Sequence, residues 1–373
     1  MMRFSTLLKN PADWMANDDE SNSVVLTSRV RLARNIAGEP FPGWAKKEER
    51  VAVLERVRGE VEALPGMKGA FSHGLEDLSS VQKQVLVERH LISREQAARS
   101  EGSAAIVNRK QTFSLMLNEE DHLRMQSIRA GLSLTKAFEK LSNLETELSR
   151  KVPFAFDGRL GYLTACPTNV GTGMRASAML HLPGLVLSDE VGPVLQGVAR
   201  LRLAVRGFYG EGTESLGNLF QVSNQSTLGE SEGEIISRLE RVIRDVETHE
   251  LNARQRLMEN DPQMILDQVG RAYGVLKYSH IIASKEALNL LSLLRLGAEL
   301  GFFEKGLRRV CDLLLMDIQP AHLQLHTGKK LDAESRDSIR SEIIRGRLQT
   351  LEPPAINPST LKERKDSAEN KDE

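Results

Sequence analysis

Four short segments of this chain carry residue types that handle charged ligands. Gly161 to Ser177, GYLTACPTNVGTGMRAS, gathers a cysteine, a Thr-Asn pair, the glycines Gly171 and Gly173, and Arg175 into one short loop after an apolar run. Glycine lets a backbone approach a ligand closely, and an arginine beside it offers a planar fork suited to phosphate. Val205 to Glu214, VRGFYGEGTE, sets Arg206 and Glu211 on a glycine-rich turn. Thr27-Ser-Arg-Val-Arg31 and Asn118-Glu-Glu-Asp-His-Leu-Arg124 add three more arginines and a run of three acids. Each segment also has an ordinary reading: solvated arginines on an open sheet face, an acidic strand end in water, a small buried cysteine.

The elements that must position these residues follow from periodicity. Residues 1–23 read as a leader, with Pro11 and the polar run Asn17 to Asn22. A strand over Val24–Leu32 places Val24, Leu26, Val30 and Leu32 on one face, and Thr27, Arg29 and Arg31 on the other, where the two arginines can address one ligand. Helices are predicted over Glu48–Leu64, with Val51, Leu54, Val57 and Val61 inward, and over Val81–Ile92, where His90 follows apolar positions. Ala104–Val107 and Phe113–Leu117 read as a hairpin that delivers Asn118 to Asp121, with Arg124 beyond, to its far end. Gly161–Ala165 reads as a strand entering the glycine loop. Gly171 to Ala176 fits the dinucleotide fingerprint G-x-G-x-x-A, with Asp189 near the acidic position. Against that reading, Pro167 interrupts the junction and the following run ends at Pro183, too soon for a crossover helix; nor does a Gly-Lys-Ser/Thr follow the glycines. Leu201 to Val205 alternates as a strand, Phe220–Ser223 returns beside it, and Ile235 to Val246 traces a long helix. Beyond Pro262 the pattern is helical: Met264–Leu276, Ser284–Leu300, Glu304–Met316 and Ala333–Leu348.

Composition excludes several classes. Lysine plus arginine total 50 and aspartate plus glutamate 51, a formal net charge of -1, which argues against a general nucleic-acid or membrane binder. Aromatic residues are only 5%, too few for base-stacking platforms. Two cysteines, Cys166 and Cys311, with no spaced Cys/His cluster, give no basis for a disulfide framework or a zinc site. The N-terminus, MMRFSTLLKNPADWM, lacks the apolar core of a secretory signal. Ala287–Phe303 is apolar but carries Arg295 and Glu299, so it reads as a buried helix, not a membrane span. The expectation is a soluble cytoplasmic protein.

Taken together, the four segments resemble the guanidino (phosphagen) kinases, ATP-dependent enzymes that phosphorylate a guanidinium nitrogen, from the Val24 strand to the long helix. Within that superfamily the likeness is to the branch acting on arginine in proteins. The resemblance implies an α+β catalytic domain, a mostly antiparallel sheet flanked by helices, followed by an all-helical C-terminal domain. It also implies that Arg29, Arg31, Arg124, Arg175 and Arg206 surround the nucleotide phosphates. The implied ATP contacts run over Thr27, Ser28, Arg29, Val30 and Arg31, then His90 and Arg124, then Arg175, Ala176, Ser177, Ala178 and Met179, then Arg206, Gly207, Phe208, Tyr209, Gly210 and Glu211. Mg²⁺ would ride mainly on phosphates and water, with no dedicated protein ligands. A guanidinium must lose a proton despite a pKa above about 12, and a carboxylate pair can grip two of its N–H groups while aligning the third nitrogen. The resemblance gives these roles to Glu211 as base and Glu120 as orienting partner; Glu119, Asp121 and Glu214 are neighbours that the residues alone do not exclude. Cys166 matches the family's active-site cysteine, a thiolate beside arginines that would be acidified and oxidisable.

Two departures bear on the substrate. Kinases of small guanidines carry a helical domain before the strand that here begins at Val24, and this chain has a helical extension after the catalytic region instead. An open site of that kind suits an arginine on a protein surface. Met179 stands where many family members carry histidine, in keeping with the protein-directed branch. In the extension, Arg336-Asp-Ser-Ile-Arg-Ser341 resembles the branch's RDxxRA phosphoarginine-sensing motif, with Ser341 in place of alanine. Arg336 and Arg340 are four apart and share a helix face, so with Asp337 they can clasp a phosphoarginine; a plain surface ion pair is the alternative. The expected organisation is a leader (1–23), a catalytic domain (24–261), a helical regulatory and oligomerisation domain (262–352) and a disordered tail (353–373). The expected function is ATP-dependent phosphorylation of arginine in proteins with exposed arginines. Phosphoarginine would mark them for a Clp-type protease during stress, with an activator protein, a repressor among the substrates and a homo-oligomeric enzyme. A phosphagen-type kinase on a small free guanidine and a non-catalytic phosphoarginine-binding adaptor stand as alternatives.

Overall fold

The computed structural model describes residues 2–9, 11–12, 15, 23–207 and 215–355. Among these residues the strands are β1 (Val25–Arg34), β2 (Phe71–Gly74), β3 (Ala104–Val107), β4 (Phe113–Leu117), β5 (Leu123–Ala130), β6 (Phe156–Asp157), β7 (Gly161–Tyr162), β8 (Met174–His181), β9 (Leu203–Gly207) and β10 (Leu219–Asn224). Eight of them form one sheet in the order β2-β3-β4-β5-β1-β8-β10-β9, while β6 and β7 pair as a small separate hairpin. β1 is antiparallel to both β5 and β8, and β9 is antiparallel to β10. The sheet is therefore built largely from hairpins and returns, as the alternating strands of the sequence imply.

The alternation along β1 fixes which residues can meet. Val30 and Leu32 are buried, whereas Arg29 and Arg31 are only partly so. The helix Leu134–Ser149 packs on β1 and β5 through Leu134, Ala137, Leu141 and Leu148. At the end of β1, Arg34 is buried but partnered: Nε donates to Glu145 at 2.8 Å, Nη1 to the carbonyls of Ala33 and Thr172, and its guanidinium lies 3.4 Å from the Tyr162 ring centroid. A buried arginine without such partners would be costly.

Two compact units divide the chain: Met1–Leu180 with Gly192–Gly207 and Phe220–Thr248, and His181–Val191 with Phe208–Leu219 and His249–Glu373. The sheet frames the first. In the second, helices Pro262–Tyr278, Ser284–Glu299, Leu307–Asp317 and Ala333–Arg347 match the expected positions and enclose a core that includes Ile282, Leu288, Leu291, Cys311, Leu314 and Ile344. Arg295 on the second of these is buried and bound to Asp312 at 2.8 Å. Among the described residues no helix is long and apolar enough to cross a membrane. The helix Pro320–Thr327 was not anticipated, although Pro320 at its first turn and left-handed Gly328 after it are start and stop signals.

Three local expectations are corrected. The helix predicted over Val81–Ile92 ends at Glu88. Its terminus is a Schellman turn: His90 N–H donates to Val87 O at 2.9 Å and Leu91 N–H to Leu86 O at 2.9 Å, with His90 at φ 58° in the place glycine usually takes. The strand predicted over Gly161–Ala165 stops at Tyr162, because the backbone beyond is claimed by side chains: Asn35 donates to Leu163 O and Asp121 accepts from Ala165 N. Arg175 to Met179 lie on β8, not in a loop; left-handed Gly171 (φ 110°) and Gly173 (φ 59°) turn the chain into that strand. A strand after these glycines also removes the dinucleotide-fingerprint reading, which needs a helix there.

Candidate active site

Register brings the arginines together. Directly opposite residues of an antiparallel pair share a face, and β1 sets Thr27 against Met179, Arg29 against Ser177 and Arg31 against Arg175. Across its other edge, Arg31 faces Gln126 and Ala33 faces Arg124 of β5, and in the next pair Arg206 faces Gln221. Two neutral side chains, neither anticipated, space the cations: Gln221 Oε1 accepts from Arg29 Nη2 at 3.2 Å, and Ser223 Oγ from Arg175 Nη2 at 3.2 Å. Period-two alternation along β10 was the signal that could have found them.

Ser28 and Val30 point the other way. Ser28 Oγ donates to Gly131 O at 2.7 Å and accepts from Ser133 N, and with Val30 it opposes Ala178 and Ala176 on the buried face. Of the expected ATP contacts, then, these four contribute backbone and packing but not side chains to the arginine face. Gly207 ends β9; Phe208, Tyr209, Gly210 and Glu211 lie outside the described residues, as does Glu214.

The arginine face is electrostatically unfavourable without a ligand. Burial lowers the pKa of Arg29 to about 10, with Arg175 and Arg124 adding to it. Burial and the neighbouring guanidiniums also push Arg31 well down, and its Nε is buried with no hydrogen-bond partner among the described residues. Arg175 is lowered by burial and by Arg206 and Arg124. Like charges held this close need a polyanion.

His90 sits against this cluster. Burial, reinforced by the charge of Arg29, lowers its pKa to about 3. A base whose folded pKa lies below its unfolded value binds its proton better unfolded, so stability falls as pH drops from about 6.5 towards 3, by at most about 1.4 kcal/mol per pH unit. His90→Asn, which tolerates the left-handed backbone, gives a flatter stability-pH curve in denaturant titrations across that window. Equal slopes for the two proteins would contradict this placement.

The acidic run is the tight turn between β4 and β5, closed by Asn118 N to His122 O at 2.9 Å. It is not a solvated strand end. Glu119 is fully buried and accepts from Ser93 Oγ at 2.5 Å, Arg124 Nη1 at 2.6 Å and Glu120 N at 2.8 Å. Burial works to raise its pKa, but Arg124 and these hydrogen bonds outweigh it and hold the carboxyl low. Glu120 is the open member, its side chain 45% exposed and 3.6 Å from Arg124. Burial raises its pKa, with Asp121 and Glu119 adding to the effect against Arg124. Arg124 therefore links the arginine face to the acids.

Cys166 stands before a 3-10 turn, Pro167–Asn169, with Sγ 3.0 Å from Thr168 Oγ1. The loop is tied down at both ends. Asp121 Oδ1 accepts from Ala165 N at 2.7 Å, and Thr227 Oγ1 donates to the carbonyls of Thr168 and Val170. Residues expected from four separate segments thus belong to one connected frame on the first unit, Glu211 apart.

Comparison with known proteins decides the family. Residues 52–253 match the ATP:guanido phosphotransferase, C-terminal catalytic domain, and residues 262–359 the Protein-arginine kinase McsB C-terminal domain. The protein-arginine kinase of Halothermothrix orenii is 42% identical over 340 residues, 91% of this chain and 97% of that one, and the protein-arginine kinase of Moorella thermoacetica is 43% identical over 342 residues with the same coverage. The chain belongs to the ATP:guanido phosphotransferases, in the protein-arginine kinase branch. A solved lombricine kinase shares the fold, with a TM-score of 0.56, 26% identity, and coverage of 62% of this chain and 67% of that one.

In the branch's C-terminal region, the helix Ala333–Arg347 carries Arg336, Asp337, Arg340 and Ser341. Arg340 is 1% exposed, with Nη1 bonded to Asp337 and to Ile282 O at 2.9 Å, and Nε 3.3 Å from Ile318 O. Ser341 Oγ donates to His280 O at 2.5 Å. This is neither an open clasp nor a solvated surface pair. Arg340, Ser341 and Arg345 fasten the turn before Ser284, while Arg336 donates to Leu331 O at 3.4 Å.

Proposed function

We propose that this chain transfers the γ-phosphoryl group of ATP, taken up as its magnesium complex, to arginine side chains of proteins. The observation that carries this reading is a face of mutually repelling arginines joined through Arg124 to a carboxylate turn. The arginine forks hold the triphosphate and stabilise charge as it develops on the transferring group. Mg²⁺ suits this site as a passenger on phosphate oxygens and water. When bound it neutralises charge between the phosphates. Glu120 grips two guanidinium N–H groups and turns the third nitrogen towards the γ-phosphorus. As the N–P bond forms and the bond to the β–γ bridging oxygen breaks, the nitrogen's proton passes to Glu211. Cys166 lies beside the same guanidinium and adjusts its position.

The protein-directed reading is tested by incubating the chain with ATP and either an arginine-rich protein or free arginine. Acid-labile phosphate is then measured, with mass spectrometry under conditions that preserve P–N bonds. Phosphoarginine on the protein alone is the expected result. Turnover of free arginine alone would favour a small-guanidine kinase, and no transfer to either would favour an adaptor. A Clp-type protease acting on the marked proteins, a repressor among them, an activator protein, self-association, a stress role and a cytoplasmic setting belong to this proposal through the branch.

Regulation by phosphoarginine at Arg336, Asp337, Arg340 and Ser341 is part of the same proposal, and geometry dictates how to test it. Arg340→Ala leaves buried carbonyls unpaired and costs about 1–3 kcal/mol of stability. Arg336→Ala leaves them intact. Free phosphoarginine changes the kinase rate of wild type and loses that effect in Arg336→Ala, whose basal rate is retained. An unaltered dose response in the variant would remove Arg336 from the site.

A further inference from the structure

The turn between β4 and β5 and the Cys166 loop are far apart in sequence, and one buried carboxylate joins them. Asp121 is fully buried. Its Oδ1 accepts from Ala165 N at 2.7 Å and from Asn35 Nδ2 at 2.7 Å. Its Oδ2 is buried with no hydrogen-bond partner among the described residues. Asn35, just past the end of β1, completes the junction. Its Nδ2 also donates to Leu163 O at 3.1 Å, its Oδ1 accepts from His122 N at 3.0 Å, and its own carbonyl accepts from Ala155 N at 2.8 Å. His122 in turn accepts on Nδ1 from Ile36 N at 3.2 Å. The end of β1, the acidic turn and the loop entering Cys166 therefore meet at one side-chain pair. Packing alone does not require a carboxylate here. The partnerless Oδ2 is a burial cost that the two donors on Oδ1, Ala165 N and Asn35 Nδ2, offset.

We infer that Asp121 is a positioning residue for the phosphoryl transfer, holding the Cys166 loop in register with Glu120 through the Ala165 N–H. The assignment rests on the proposed function, because it makes Asp121 act through Glu120 and Cys166. Among the described residues its hydrogen bonds go to Ala165 and Asn35, and it makes none to the arginine face. Glu120 precedes Asp121 directly and Cys166 follows Ala165 directly, so the Asp121–Ala165 bond sets the separation of the two groups that meet the guanidinium. Cutting it loosens the loop next to Cys166, while Asn35 still holds Leu163 O and Thr227 holds the far side.

The test uses the full chain and a readout that does not depend on catalysis. Cys166 is partly exposed and Cys311 is fully buried with its thiol pKa pushed up by burial, so iodoacetamide reports on Cys166 alone; Cys166→Ser serves as the unlabelled control. In Asp121→Ala, alkylation of Cys166 becomes at least fivefold faster. Its kcat on an arginine-rich protein falls at least tenfold, and the nucleotide Kd stays within twofold of wild type. Asp121→Asn retains an acceptor oxygen for both donors, labels within twofold of wild type and keeps most of the kcat. Should Asp121→Ala fail to fold by circular dichroism, Ala165→Pro deletes the N–H donor and leaves Asp121 in place, and it carries the same expectation. Unchanged labelling in the folded variant overturns the proposal, as does faster labelling with undiminished kcat. A wild-type chain that phosphorylates nothing would sink the proposed function instead, while the labelling rates would still judge the bond.

Discussion

Arg175→Ala lowers kcat/KM for ATP by about two to three orders of magnitude, the usual loss when one preorganised charge donor is removed. It does so without lowering the thermal midpoint of the ligand-free protein. The two halves of this result have one cause. Arg175 lies on β8 opposite Arg31, and its pKa is lowered by burial and by the charges of Arg206 and Arg124. In the absence of nucleotide it is a repelled cation, held among the described residues by the 3.2 Å bond to Ser223. Losing that bond costs about 1 kcal/mol, and relief of repulsion offsets it. When a triphosphate occupies the face, the same cation becomes attractive, and wild type gains about 2.7 kcal/mol of stability at a hundredfold excess of ligand over Kd. The variant gains much less. Steady-state kinetics and thermal denaturation with and without MgATP provide both readings. A variant with a lower midpoint and an intact kcat/KM would mean that Arg175 is a structural arginine.

Much of this arrangement was legible because the strands are short and alternate. Period two along β1 separated Arg29 and Arg31 from Val30 and Leu32, and the register with β8 and β5 then fixed which arginines face one another. The helical region was equally readable, since one apolar stripe per helix is enough to define its core. The failures share a different origin. At His90 a histidine occupies the left-handed position of a Schellman turn, so the helix ends where no glycine announces it. At Leu163 to Cys166 the backbone is satisfied by Asn35 and Asp121, partners distant in sequence that no local pattern reveals. The burial of Glu119 and of Arg340 likewise depends on tertiary hydrogen bonds, whereas spacing alone suggested a solvated turn and a surface pair. Resemblance to a family supplied the roles; geometry supplied which side chains can fill them. Ser28 and Val30 show the difference, lying within the expected ATP segment with their side chains turned away.

Glu120→Gln reduces kcat/KM on a protein substrate by about two to three orders of magnitude, because misorientation of a reacting group alone can cost about a hundredfold. The nucleotide Kd stays unchanged. Glutamine is nearly isosteric, yet its NH₂ group presents donors where the guanidinium also presents donors, so only one of two bonds survives. The pH profile carries the more specific signature. Burial, aided by Asp121 and Glu119, raises the pKa of Glu120 in the free enzyme above the usual carboxylate range, while Glu119 is held below it. Only the deprotonated carboxylate can accept from the guanidinium. Wild-type kcat/KM, which reports the free enzyme, therefore rises with pH through that raised value. In Glu120→Gln this rise moves to lower pH, towards the carboxylates that remain. Glu211→Gln removes the proton acceptor and costs about two to four orders of magnitude. If the two glutamates act on one guanidinium as a unit, the double variant is little worse than Glu211→Gln alone. Strictly additive losses, or an acid limb that stays in place when Glu120 is replaced, would show that Glu120 does not hold the substrate.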